Sequence, residues 1–165
     1  MIRKKICMIG SFSVGKTSLV SRFVHNLFSD RYQTTIGVRV DKKIVSLDGE
    51  ECTLVLWDVH GEDEFQRIRD SYLRGASGYL LVADGTRPST LSTAATLDER
   101  VRGACGPVPS SLLVNKLDLV ESWEESPEAV REKLEGAWDL RFTSAKTGEG
   151  AEEAFVELTR RMLDS

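Results

Sequence analysis

Eight consecutive residues carry the most specific chemistry in this 165-residue chain: Gly10-Ser11-Phe12-Ser13-Val14-Gly15-Lys16-Thr17. They satisfy G-x-x-x-x-G-K-[ST], a loop whose glycines let the backbone wrap an anion with successive N–H groups pointing inward. The lysine supplies a charge for β and γ phosphates, and the hydroxyl after it is a ligand for Mg2+. Both belong at the start of a helix, whose N-terminal dipole end favours the same anion. Two later clusters, Asn115-Lys116-Leu117-Asp118 and Ser144-Ala145-Lys146, offer polar groups of a different kind. A carboxylate such as Asp118 accepts from both the N1–H and the exocyclic amine of guanine. Adenine offers no such donor pair and would leave a buried Asp118 unsatisfied.

Such groups must be positioned by regular elements, and the apolar pattern supplies them. Strands are expected at Lys4–Ile9, Val38–Leu47, Thr53–Asp58, Gly78–Ala83, Ser111–Val114 and Leu140–Thr143, several of them continuous apolar runs. Helices fall between them at Lys16–His25, near Glu64–Leu73, and at Leu91–Gly103, Pro127–Ala137 and Ala151–Leu163. This rhythm predicts an α/β fold, a mostly parallel sheet covered by helices on both faces. Asp48-Gly49 is a hairpin dipeptide, so the second and third strands should pair antiparallel at a sheet edge. Ser126-Pro127-Glu128 reads as an N-cap, a first-turn proline and an early acid. All three polar clusters then lie at strand C-termini, where open α/β sheets bind ligands.

Composition sets the outer limits. With 41% hydrophobic and 29% charged residues the chain fits one globular domain spanning 1–165, with no repeat, linker or apolar run of membrane length. A formal charge of −4 argues against nucleic acid as a partner. Cys7, Cys52 and Cys105 lack disulfide or zinc spacing and read as apolar fillers in a soluble, cytoplasmic protein.

With these motifs in order, the chain resembles the Ras superfamily of small GTPases over essentially its whole length. The five guanine-nucleotide motifs are the loop at 10–17, Thr35 within Tyr32–Gly37, Asp58-Val59-His60-Gly61, Asn115–Asp118 and Ser144–Lys146. Thr35-Ile36-Gly37-Val38, Leu56-Trp57-Asp58 and Ser71-Tyr72-Leu73-Arg74-Gly75-Ala76 look Rab-like. The resemblance implies a P-loop G domain with a six-stranded mixed sheet, binding GTP or GDP with Mg2+ and hydrolysing GTP. It places Ser13, Val14, Gly15, Lys16, Thr17 and Ser18 around the phosphates. Phe28 would lie against the guanine or ribose edge, and the Lys116 stem over the ring. Asn115, Asp118, Ser144, Ala145 and Lys146 would complete base binding, with the Ala145 N–H donating to guanine O6. Thr35 would close over the γ-phosphate and join Thr17 on Mg2+, Asp58 would hold the ion through water, and the Gly61 N–H would touch the γ-phosphate. The duller roles are core packing for Phe28, a strand start at Thr35 and a strand-end cap at Asp58.

Departures from the family pattern sit where hydrolysis is controlled. The residue after Gly61, commonly a water-orienting glutamine, is Glu62, and an ionised glutamate only accepts. Nearby phosphates would raise its pKa, and a protonated Glu62 could still position water. Phe12 fills a loop position often held by a small residue, where a ring would crowd Glu62 or an inserted arginine. Slow GTP hydrolysis is therefore expected, with Lys16, Thr35, Gly61 and Glu62 as the catalytic set; a binding module with negligible hydrolysis is the alternative. His60, in a slot commonly alanine, reads as a switch-surface residue, and His25 as a favourable helix-terminal one.

The resemblance also implies effector, exchange-factor and activating proteins at segments 30–40 and 58–75. Ile36, Val38, Val40, Trp57, Phe65, Ile68 and Tyr72 would form the apolar patch they read, Trp57 being the residue most expected to be partly exposed. No cysteine lies beyond Cys105 and Ile2 follows Met1, so no lipid anchor is visible in this chain. Glu121, Glu124, Glu125, Glu128, Glu132 and Glu135 read as a solvated face.

Overall fold

The computed structural model describes residues 2–28, 37–60, 70–134 and 136–164, with the backbone alone at 37 and 60. Six strands form one sheet: β1 (Ile2–Gly10), β2 (Gly37–Leu47), β3 (Glu50–His60), β4 (Gly78–Asp84), β5 (Ser110–Asn115) and β6 (Leu140–Phe142). Their order is β2-β3-β1-β4-β5-β6, and only β2 and β3 pair antiparallel. Helices α1 (Lys16–His25), α2 (Asp70–Leu73), α3 (Ser89–Cys105) and α4 (Pro127–Leu134) lie between them in sequence, and α5 (Ala151–Leu163) follows β6.

The hairpin dipeptide acts as expected. Asp48 and Gly49 both take positive φ, 51° and 83°, and Leu47 pairs with Glu50 across the turn. That is the geometry a two-residue loop needs to match the twist of its strands. Side chains alternate across the sheet into two cores. Ile6, Met8, Leu54, Leu56, Leu80 and Val82 meet α1 and α5 on one face, where the Phe23 and Phe155 rings stack at 4.2 Å. Cys7, Ile9, Leu81, Ala83 and Val114 meet α2, α3 and α4 on the other. All seven residues of β4 are buried, the signature of a central parallel strand covered on both sides.

Some expected boundaries move. Helix α3 starts two residues early because Pro88, at φ −54°, already has a helical backbone. Helix α4 ends at Leu134 instead of Ala137, while its Ser126 cap forms as expected, Oγ accepting the Ala129 N–H at 3.1 Å. Of the helix expected near Glu64–Leu73, the described part is Asp70–Leu73. A 3-10 turn at Leu117–Ser122 has no counterpart in the sequence reading. Among the described residues no helix is long and apolar enough to cross a membrane.

From β1 the chain first builds toward β2 and β3, then crosses to β4. The strand order thus reverses at β1, opening a crevice at the C-terminal ends of β1 and β4.

Candidate functional site

The loop between β1 and α1 lines that crevice. A Cβ on Gly10 would meet the Val82 carbonyl oxygen at 2.3 Å, and one on Gly15 would meet Asn115 Nδ2 at 2.2 Å, so both positions require glycine. Ser13 (φ 60°) and Gly15 (φ 106°) take left-handed backbone, which turns successive N–H groups inward. Helix α1 begins with no side-chain cap and no acidic residue in its first turn, leaving its positive end open to an anion. Lys16 is only 5% exposed and its Nζ donates to the Gly10 and Ser11 carbonyls at 3.2 Å each. Burial lowers its pKa; Asp58 acts in the opposite direction and Arg87 adds to the lowering.

At the end of β3, Asp58 is 1% exposed and its Oδ2 accepts from the Thr17 hydroxyl at 2.5 Å. A hydroxyl and a carboxylate side by side are hard oxygen donors. Two of them suit Mg2+, which keeps most of its sites for phosphate and water. Thr17 and Asp58 therefore fit the ion the sequence implied.

Asn115 is the hub of the other end. Its Nδ2 donates to the Val14 carbonyl at 3.0 Å, while its Oδ1 accepts from the Thr143 hydroxyl at 3.0 Å and the Ala145 N–H at 3.3 Å. One side chain, 2% exposed, thus joins segments more than a hundred residues apart. The Ala145 N–H, expected to meet a base oxygen, already has this partner. Ser144 donates to Asp118 Oδ1 at 2.7 Å, aligning the carboxylate. Asp118 is exposed on the 3-10 turn, at the rim where a bound base would cover it. Lys116 takes φ 72°, and its Nζ reaches buried Asp84 at 2.9 Å. Phe28 is half-buried against the α1 side of the core, the packing role set beside its base contact.

The family model described as the Ras family matches residues 5–164. The chain belongs to the Ras family. Among curated relatives it is 37% identical to Ras-related protein Rab-4 of Dictyostelium discoideum, covering 96% of this chain and 78% of that protein. It is 36% identical to human Ras-related protein Rab-32, covering 96% and 74%. Ras-family membership carries the small-GTPase fold, with GTP or GDP and Mg2+ as the ligands of the family in general.

Within this Ras-like frame Asn115 brings the Val14 carbonyl of the 10–17 loop together with Thr143 and Ala145, and Ser144 holds Asp118 beside them. Thr35, Gly61 and Glu62 lie outside the described residues, as do Ile36, Phe65 and Ile68. Sequence reasoning missed Asp84 and Arg87. Asp84, at the tip of β4, accepts from Thr86 at N and Oγ1, from Arg87 Nε at 3.1 Å and from Lys116 Nζ. Burial alone would raise its pKa, but these donors outweigh it and hold the carboxyl below its ordinary value. Arg87 Nη2 also donates to the Phe12 carbonyl at 2.7 Å, tying the phosphate loop to the turn after β4. The available signal was an acid at a strand C-terminus with an arginine three residues on.

Proposed function

We propose that the protein is a GTP-hydrolysing switch in which Lys16 and the 13–18 backbone bind the phosphates, Thr17 and Asp58 serve Mg2+, and Asp118 reads guanine. The observation that carries this reading is the Asn115 side chain, which locks the phosphate loop, the Thr143 strand end and the 144–146 loop into one crevice. Bound Mg2+ would neutralise charge on the β and γ phosphate oxygens. The protein's own groups do the rest. Backbone N–H groups of the loop and the Lys16 ammonium orient the terminal phosphate, and Thr35, Gly61 and Glu62 are assigned by the family pattern to its outer side.

Hydrolysis should be slow, because an ionised Glu62 accepts from water but cannot donate to the transition state. Arg87 anchors the Phe12 carbonyl, and by the family pattern the Phe12 ring occupies a loop position usually held by a small residue. Single-turnover phosphate release tests this. Wild type should be slow, and Phe12→Gly with Glu62→Gln should accelerate it by about 10-fold or more, the usual scale for a positioned water. A fast wild type unchanged by both substitutions contradicts the reading. ATP competing as well as GTP would overturn the assignment to guanine.

Partners would engage segments 30–40 and 58–75. Val40 is 44% and Ile44 59% exposed, both on the face of β2 and β3 that carries half-buried Trp57.

A further inference from the structure

Helix α1 leaves the phosphate loop at Lys16 and ends at His25, and one side chain near its far end reaches across to the base-reading loop. The Arg22 guanidinium donates from Nε to the Ala145 carbonyl at 2.8 Å and from Nη2 to the Lys146 carbonyl at 2.5 Å. Its third nitrogen, Nη1, donates to Asn26 Oδ1 at 3.0 Å, which fixes the fork against the helix end. Three nitrogens of one planar group are thus engaged, and two of them hold adjacent peptides of a loop more than 120 residues away.

Peptide geometry gives this grip a direction. All described peptide bonds are trans, so the carbonyl and the N–H of one peptide point to opposite sides. Arg22 holds the Ala145 carbonyl toward α1, which turns the Lys146 N–H of the same peptide away from α1. That N–H has no acceptor among the described residues. The Ala145 N–H, by contrast, is already engaged by Asn115. The Lys146 N–H is thus a donor left for a base oxygen in this loop, two residues on from the Ser144 hydroxyl that holds Asp118.

We propose that Arg22 is a positioning residue for base recognition: it presents the Lys146 N–H to the 6-carbonyl of a purine and couples the phosphate-binding helix to the base-reading loop. The proposal rests on the guanine reading above. Lysine could not replace Arg22 fully, since an ammonium lacks the planar fork that spans two carbonyls.

Competition binding of GDP, IDP and ADP to the full chain and its Arg22→Ala and Arg22→Lys variants tests this. GDP and IDP share the 6-carbonyl, so Arg22→Ala should weaken both by about tenfold, equivalent to ~1.4 kcal/mol, and leave ADP unchanged. The GDP:ADP preference then falls by the same factor. The GDP:IDP ratio reports Asp118 against the 2-amine and should not move. Arg22→Lys should fall between wild type and Arg22→Ala, and it decides alone if Arg22→Ala does not fold. Equal weakening of all three nucleotides, or an unchanged GDP:ADP ratio, overturns the proposal while the guanine reading stands. A wild type that does not prefer GDP to ADP overturns both.

Discussion

Lys16 holds its ammonium almost out of water on two carbonyl oxygens, a poor exchange for hydration. In the proposed function, phosphate oxygens would be the partners that offset this cost. The ligand-free fold should therefore be strained at this position. Replacing Lys16 with Met keeps the apolar stem and removes the charge, which should stabilise the nucleotide-free protein by about 1–2 kcal/mol in urea denaturation. The same change should weaken GDP binding by about 100-fold, the scale of a lost charge-assisted contact. pH gives an independent reading. The folded pKa lies below the ordinary lysine value of 10.5, so on acidification the unfolded chain takes up the proton first. Ligand-free stability should then rise with pH through that window, and Lys16→Met should remove that slope. A variant less stable than wild type, with the slope intact, would contradict this account.

The turn after β4 is the element that most changes how the site is understood. Asp84 is buried among Thr86, Arg87 and Lys116, and Arg87 continues the link to the Phe12 carbonyl. Lys116 and the 10–17 loop are thus held from one strand end. Asp84→Asn keeps the shape but leaves two cations without their counter-charge, which should cost about 2–3 kcal/mol at pH 7. GDP should also dissociate faster. Because the folded carboxyl titrates below the ordinary 3.8, its contribution is present above that value and is lost as pH falls through the folded pKa. The gap in denaturation midpoint between wild type and Asp84→Asn should therefore narrow as pH falls below 3.8, and a constant gap would sink the idea. This element also shows why the site was only partly legible. The 10–17 loop and the 115–118 and 144–146 motifs announce themselves by spacing. Asp84 does not, because an acid closing an apolar strand looks like ordinary strand-end polarity. The 3-10 turn that carries Asp118 was equally hidden: it has no helical period, and its exit is set by the Trp123 Nε1–H donating to the Lys116 carbonyl at 3.1 Å.

At the scale of the whole molecule the sheet was readable because buried parallel strands such as β4 and β5 are nearly unbroken apolar runs. The Asp48-Gly49 turn then left only one way to attach β2. What that pattern could not say is which faces stay open. Helices cover both sides of β1 and β4, but β2 is an edge strand, and its outward row presents Val40 and Ile44 to solvent near Trp57. Trp57 is held in place by the Lys5 ammonium, 3.8 Å above its ring, and by Tyr72, 6.4 Å away between centroids. Two exposed apolar side chains flanking Lys42 beside a fixed aromatic are suited to a partner rather than to the fold. Ile44 was absent from the expected patch because it lies beyond the 30–40 segment; only the β2–β3 register puts it on the same face as Val40. Val40→Glu and Ile44→Glu should change folding stability by no more than about 0.5 kcal/mol, the usual range for exposed sites. GDP dissociation should stay the same, since neither side chain approaches the crevice. Pulldown of proteins that prefer the GTP-analogue form over the GDP form should fall sharply with either variant. Retained nucleotide-dependent capture would show that partners bind elsewhere, whereas loss of capture with unaltered GDP kinetics would separate the surface that signals from the crevice that switches.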